Sequence, residues 1–119
     1  MSEPEISNFN TIIKEIIKKS LFTERQIEII LKQKKMLDVE FGVSKGAYYR
    51  QLAQSRRKIE SVYYTLILLQ ALDVILTNSD VISRLAEQVN VMKDSDFAPE
   101  NESQIIDVIQ KAVKQLVNM

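Results

Sequence analysis

Gly42–Ile59, GVSKGAYYRQLAQSRRKI, is the stretch whose reading decides the fold. Gly42 can supply the left-handed backbone of a sharp turn and Ser44 is a favoured N-cap, so a helix is predicted to open after Ser44. Tyr48, Leu52, Ser55 and Ile59 then recur at spacings of four, three and four, which aligns them on one helix face. Lys45, Tyr49, Arg50, Gln54, Arg56, Arg57 and Lys58 fall on the other faces. A helix that packs on one side and offers cations, an amide and an aromatic on the other suits a DNA groove.

Upstream, a first helix is predicted over Asn8 to Lys19, with Phe9, Ile12, Ile13, Ile16 and Ile17 as its buried stripe. Thr23-Glu-Arg-Gln26 has the spacing of a capping box and opens a second helix, whose apolar face is Ile27, Ile30, Leu31 and Met36. Leu37–Phe41 reads as helical, either as a short separate helix or as the end of one long helix from Glu24. Lys32, Lys34 and Lys35 have the ordinary reading of a solvated helix end.

Downstream of Ile59 the character changes. In Val62–Leu76 only Thr65, Gln70 and Asp73 interrupt an apolar run, which is shorter than the roughly 20 residues a bilayer span needs. A helix apolar nearly all round must be buried all round. The expected cover is a second copy of the chain, through Val62, Tyr63, Leu66, Leu69, Leu72 and Leu76 together with Ile109 and Leu116. The competing reading wraps this run with the chain's own remaining helices. A further helix carries Val81, Ile82, Leu85, Val89 and Met92 in register. Lys93–Glu102 reads as a loop, and an amphipathic helix follows from Glu102 to Val117, with Lys111 and Lys114 suiting its negative end.

Two glycines and two prolines in 119 residues, with no alternation of β-branched and polar positions, make the expected class all-α. The expected division is a basic region 1–59 and a hydrophobic, acidic dimerisation region 60–119, packed as one unit. With no cysteine and no histidine, disulfides, zinc sites of the usual type and nucleophile–histidine chemistry are excluded. No glycine loop for phosphates and no carboxylate pair in an apolar setting occurs, so neither catalysis nor a cofactor or metal is expected. MSEPEISN is not a secretory signal, and an intracellular, cytoplasmic protein with no membrane partner is the expectation. Net charge is zero, but from Lys14 to Lys58 twelve basic residues face five acidic ones, a net +7. From Glu60 onward four basic face nine acidic, a net −5. Such segregation points to one surface for a polyanion and another for something else.

Leu21–Ile59 resembles the helix-turn-helix of sigma-factor region four and the related LuxR-type DNA-binding domains. Leu21-Phe-Thr-Glu-Arg-Gln26 is similar to that family's capped entry to its first helix, and Gly42-Val-Ser-Lys-Gly46 with Leu52 and Arg56-Arg57-Lys58-Ile59 to its turn, recognition helix and basic exit. The chain departs from the pattern between Arg25 and Gly42, where it has too few residues for two full helices and a loop. The resemblance implies that Lys45, Gly46, Tyr49 and Arg50 meet base edges, with Gln54 further along. It also implies that Ser44, Arg56, Arg57 and Lys58 meet phosphate and that Thr23, Arg25 and Gln26 add a backbone clamp, a plain helix cap being the ordinary role of Thr23.

The expected function is therefore binding of double-stranded DNA by a homodimer, as a transcriptional regulator or small chromatin-type protein. The alternative is a helical protein–protein interaction module, an adaptor of the transcription machinery that does not touch DNA. Ordinary explanations compete at each position: Tyr48 belongs to the core stripe, and Arg56–Lys58 can be a solvated surface.

Overall fold

A computed structural model describes residues 9–36, 41–74 and 79–117. Among them the chain is all-α, with helices α1 (Thr11–Lys19), α2 (Glu24–Gln33), α3 (Lys45–Ala71), α4 (Ser79–Met92) and α5 (Pro99–Val117) and no strand. No helix among the described residues is long and apolar enough to cross a membrane.

Side-chain caps set the helix starts. Asn10 caps α1, which begins at Thr11, three residues after the expected start at Asn8; its Oδ1 accepts from the Ile13 N–H at 3.0 Å. Its amide also donates to the carbonyls of Met92 and Ser95, at 2.7 and 3.0 Å. The capping box of α2 is present in full: Thr23 Oγ1 accepts from the Gln26 N–H, and Gln26 Oε1 accepts from the Thr23 N–H. Ser44 caps α3, accepting from the Ala47 N–H at 3.2 Å. α5 begins at Pro99, inside the expected loop, since proline at a first helical position forfeits no hydrogen bond and its φ is already helical.

The helix ends are less conventional. α2 stops at Gln33 with Lys35 at φ 60°, and the N–H groups of Lys35 and Met36 bond to the carbonyls of Lys32 and Leu31. α3 stops in the same manner, with Asp73 at φ 57° and the N–H groups of Asp73 and Val74 bonded to Gln70 and Leu69. Both are Schellman endings, built on residues other than glycine. A single long helix from Glu24 to Phe41 is thereby excluded. The expected short helix at Leu37–Phe41 falls on residues of which only Phe41 is described, and Phe41 is not helical. Gly42 does not take the expected left-handed conformation either, since no glycine has positive φ.

Packing divides the chain into two units. One has Ile17–Thr65 as its body, and the other comprises Phe9–Ile16 and Leu66–Met119. In the first, Ile29 of α2, Phe41 and Leu52 of α3 form a buried cluster with Tyr48 packed against it. Ser55 is fully buried, its hydroxyl returned to the Gln51 carbonyl at 2.8 Å, so a small polar residue sits there without an unpaired donor. The expected face of α2 is displaced: Ile29 lies at its centre, while Met36 is exposed. Phe41 is flanked by two cations, with the Arg25 guanidinium 4.8 Å and the Lys32 ammonium 5.2 Å from its ring centroid.

In the second unit, Ile12 is the buried apolar residue among those described. Val81, Leu85, Val89 and Met92 of α4 and Ile105, Ile109, Ala112 and Leu116 of α5 are half-buried, and Ile82 stands exposed. Two open apolar grooves result. One lies between α4 and α5 over Val91, Met92, Ile105 and Val108, and the other runs along Ile13, Ile16, Leu85 and Leu116.

Candidate nucleic-acid interface

α3 carries the site, and its sequence explains why the two sides differ. At about 3.6 residues per turn, Tyr48, Leu52, Ser55, Ile59 and Val62 share a side. On that side Leu52 and Ser55 are buried and the other three half-buried. The opposite side presents Gly46, Arg50, Gln54 and Arg57, with Lys45, Tyr49 and Arg56 along one edge, and every one of these seven is exposed. From Lys45 through Ile59 the helix has five cations and no carboxylate; Glu60 is its first acid. Tyr49 is 57% exposed, its ring set edge-on to Tyr48 with centroids 5.4 Å apart. A Cβ added at Gly46 would meet nothing within 4 Å, so packing within the chain gives no reason for a glycine there.

Two of the expected contact residues are drawn into the fold instead. Lys58 is half-buried: its ammonium donates to the Leu21 carbonyl and to Gln26 Oε1, both at 2.7 Å, tying α3 to the turn before α2. Arg25 is 12% exposed, 3.7 Å from Glu28 and stacked on Phe41, away from the open face. Long cationic side chains bury their stems readily, which spacing alone does not reveal. The structural reason for Thr23 is its cap, and the same holds for Ser44, which remains exposed beside the basic face.

Past Glu60 the outward side of α3 changes chemistry without changing direction. Tyr63, Tyr64, Ile67 and Leu68 continue it and Leu72 follows in the turn just past its end, Tyr64 being 74% exposed and Leu72 63%. Of the expected dimerisation residues, Tyr63, Leu66 and Leu72 are exposed, whereas Val62 and Leu69 are half-buried on the inward side. Ile109 and Leu116 are half-buried within the grooves of the second unit, and Leu76 lies outside the described residues. Tyr64, Ile67 and Leu68 are the outward residues that composition alone did not single out. Continuing the phase of the basic face past Glu60 finds them.

Compared with protein-family models, with curated proteins and with solved structures, the chain matches none of them.

Proposed function

We propose that the protein binds double-stranded DNA as a homodimer, with the outward face of α3 in the major groove, and acts as a transcriptional regulator or small chromatin-type protein. The observation that carries this reading is the exposed, carboxylate-free face of Lys45, Gly46, Tyr49, Arg50, Gln54, Arg56 and Arg57 on one rigid helix. Arg50 has the paired donors for the O6 and N7 acceptors of guanine, Gln54 has the donor and acceptor for N7 and N6–H of adenine, and Tyr49 is an aromatic beside them. Gly46 lets a groove wall approach the backbone, and the first turn of α3 carries no acid to repel a phosphate.

The apolar end of the same helix supports the dimer. Tyr63, Tyr64, Ile67, Leu68 and Leu72 carry on the order of 600 Å² of accessible surface, close to one partner's share of a standard interface. With the two-fold axis near Leu68, Tyr49 stands roughly 28 Å away along the helix. Recognition segments about 34 Å apart then require the paired α3 helices to diverge by roughly 70°. In this reading one continuous helix transmits the geometry of the seam to the groove.

Titration of random-sequence duplex at several salt concentrations tests the reading. Binding should weaken as salt rises, with a log–log slope of roughly −0.9 for each phosphate neutralised. No binding at low salt would contradict it. A protein-binding module is the second reading, favoured by the exposed apolar residues of α3 and by the grooves of the second unit. It requires a different polypeptide on that surface and no response to duplex.

A further inference from the structure

Beside the basic face, α2 and α3 border an open cleft of about 330 Å³ lined by Gln26, Gln54, Arg57, Lys58 and Ser61. None of these residues is acidic or apolar. The four contributed by α3 stand at i, i+3, i+4 and i+7, one side of one helix, so their convergence is built in. Gln26, at the third position of α2, is buried to 6% exposure and lines the cleft from the α2 side.

The orientation of Gln26 follows from its partners. Its Oε1 accepts from the Thr23 N–H at 3.0 Å and from the Lys58 ammonium at 2.7 Å, and both are obligatory donors. The amide therefore cannot be flipped, and Nε2 is left with no partner among the described residues. Lys58 has spent two of its three N–H groups, on Leu21 and Gln26. The residues lining the cleft carry several further donors: Nε2 of Gln26, the amide of Gln54, the guanidinium of Arg57, the Ser61 hydroxyl and the third N–H of Lys58, whose ammonium also lies 5.8 Å from the Phe22 ring centroid. Charged and neutral donors gathered around one space, with no acceptor charge among them, are the complement of a tetrahedral oxyanion.

We infer that this cleft is a phosphate site, and that it holds one backbone phosphate of the duplex read by the N-terminal turns of α3. Its occupant rests on the DNA reading, but its chemistry does not. Arg57 lies about 10 Å along α3 from Arg50, so the phosphate held here is separate from the bases near Arg50. Gln54, an expected base-reading residue, is reassigned to this contact. Lys58 is a positioning residue as well as a donor, because the same ammonium fixes Gln26.

The test uses the full chain labelled with ¹⁵N and two probes. Inorganic phosphate in the millimolar range should shift the Gln26 and Gln54 side-chain amide signals saturably. Chloride at matched ionic strength should not, and Arg57→Gln should weaken the response at least about fivefold. Arg57 is exposed, so this variant keeps the fold, which Lys58 variants need not. A non-saturating or chloride-like response overturns the site. Duplexes with a single neutral methylphosphonate form the second arm. One position per half-site should cost the wild type roughly five- to tenfold in affinity and cost Arg57→Gln nothing further. Saturable phosphate binding with duplex bound but no such coupled position contradicts the DNA backbone as occupant. Saturable phosphate binding with no duplex binding at all contradicts the DNA reading and leaves the oxyanion chemistry standing.

Discussion

The two packing units differ in what they leave outside. Ile17–Thr65 buries Ile17, Ile29, Phe41 and Leu52 and exposes Lys45, Arg50, Arg56 and Arg57. The other unit buries Ile12 among its described apolar residues and exposes Ile67, Leu68, Leu72, Ile82, Val91, Val108, Val113 and Val117. The first has a buried core cluster of its own, although it too leaves Leu21, Met36, Tyr63 and Tyr64 exposed. In the second, apolar surface is left that water disfavours at roughly 25 cal/mol per Å². The charge segregation read along the sequence is thus matched by a segregation of closure. In the proposed reading a polyanion covers the basic face of the first unit, and a second copy of the chain covers the apolar run from Tyr63 to Leu72, which begins at the end of the first unit and continues into the second.

The largest effect that can break this contrast is at the apolar end of α3. Leu68→Asp places a charge from each copy in the proposed seam and should weaken the dimer on the order of 1000-fold. Analytical ultracentrifugation checks this, with Arg84→Ala as an exposed control outside α3; an unchanged association state removes the seam. A smaller effect compares the same kind of deletion in both units. Ile29→Ala, at a position 1% exposed, should cost about 3 kcal/mol in urea unfolding. Val91→Ala, at a position 77% exposed, should change stability by no more than about 0.5 kcal/mol. Equal costs would mean that closure does not differ between the units.

Much of the first unit was legible because its signals are local. A capping box needs only Thr23 and Gln26, a cap only Ser44, and the Leu52–Ser55 register only helical spacing. The ends of α2 and α3 were not legible, since the usual marker is glycine and the left-handed position is taken by Lys35 and Asp73. Phe41 was hidden for a different reason: it is a core residue outside any described helix, so no periodicity announces it. In the candidate site, exposure followed from helix phase for Gly46, Arg50, Gln54 and Arg57. The withdrawal of Arg25 and Lys58 depends on partners distant in sequence or on a ring, Phe41 and Leu21 among them, that spacing does not encode.

Two finer effects sharpen the account of the first unit. Thr23→Ala removes one half of the capping box and loosens Gln26, and should cost about 1 kcal/mol in chemical unfolding. Lys35→Gly relieves a left-handed residue that carries a Cβ and should add somewhat under about 1 kcal/mol in the same measurement. A destabilised glycine variant would mean that the lysine side chain contributes more than its backbone conformation costs.

The most direct test of the central claim removes equal charge from two places. Arg50→Ala/Arg57→Ala should lower duplex affinity by roughly 100-fold at moderate salt and reduce the salt slope by about one phosphate's worth, from Arg57. Lys111→Ala/Lys114→Ala, which takes the same charge from α5, should leave affinity within about threefold of wild type with the slope unchanged. If the two double variants lose affinity equally, or if the α3 pair loses none while still dimeric, the outward face of α3 does not bind DNA.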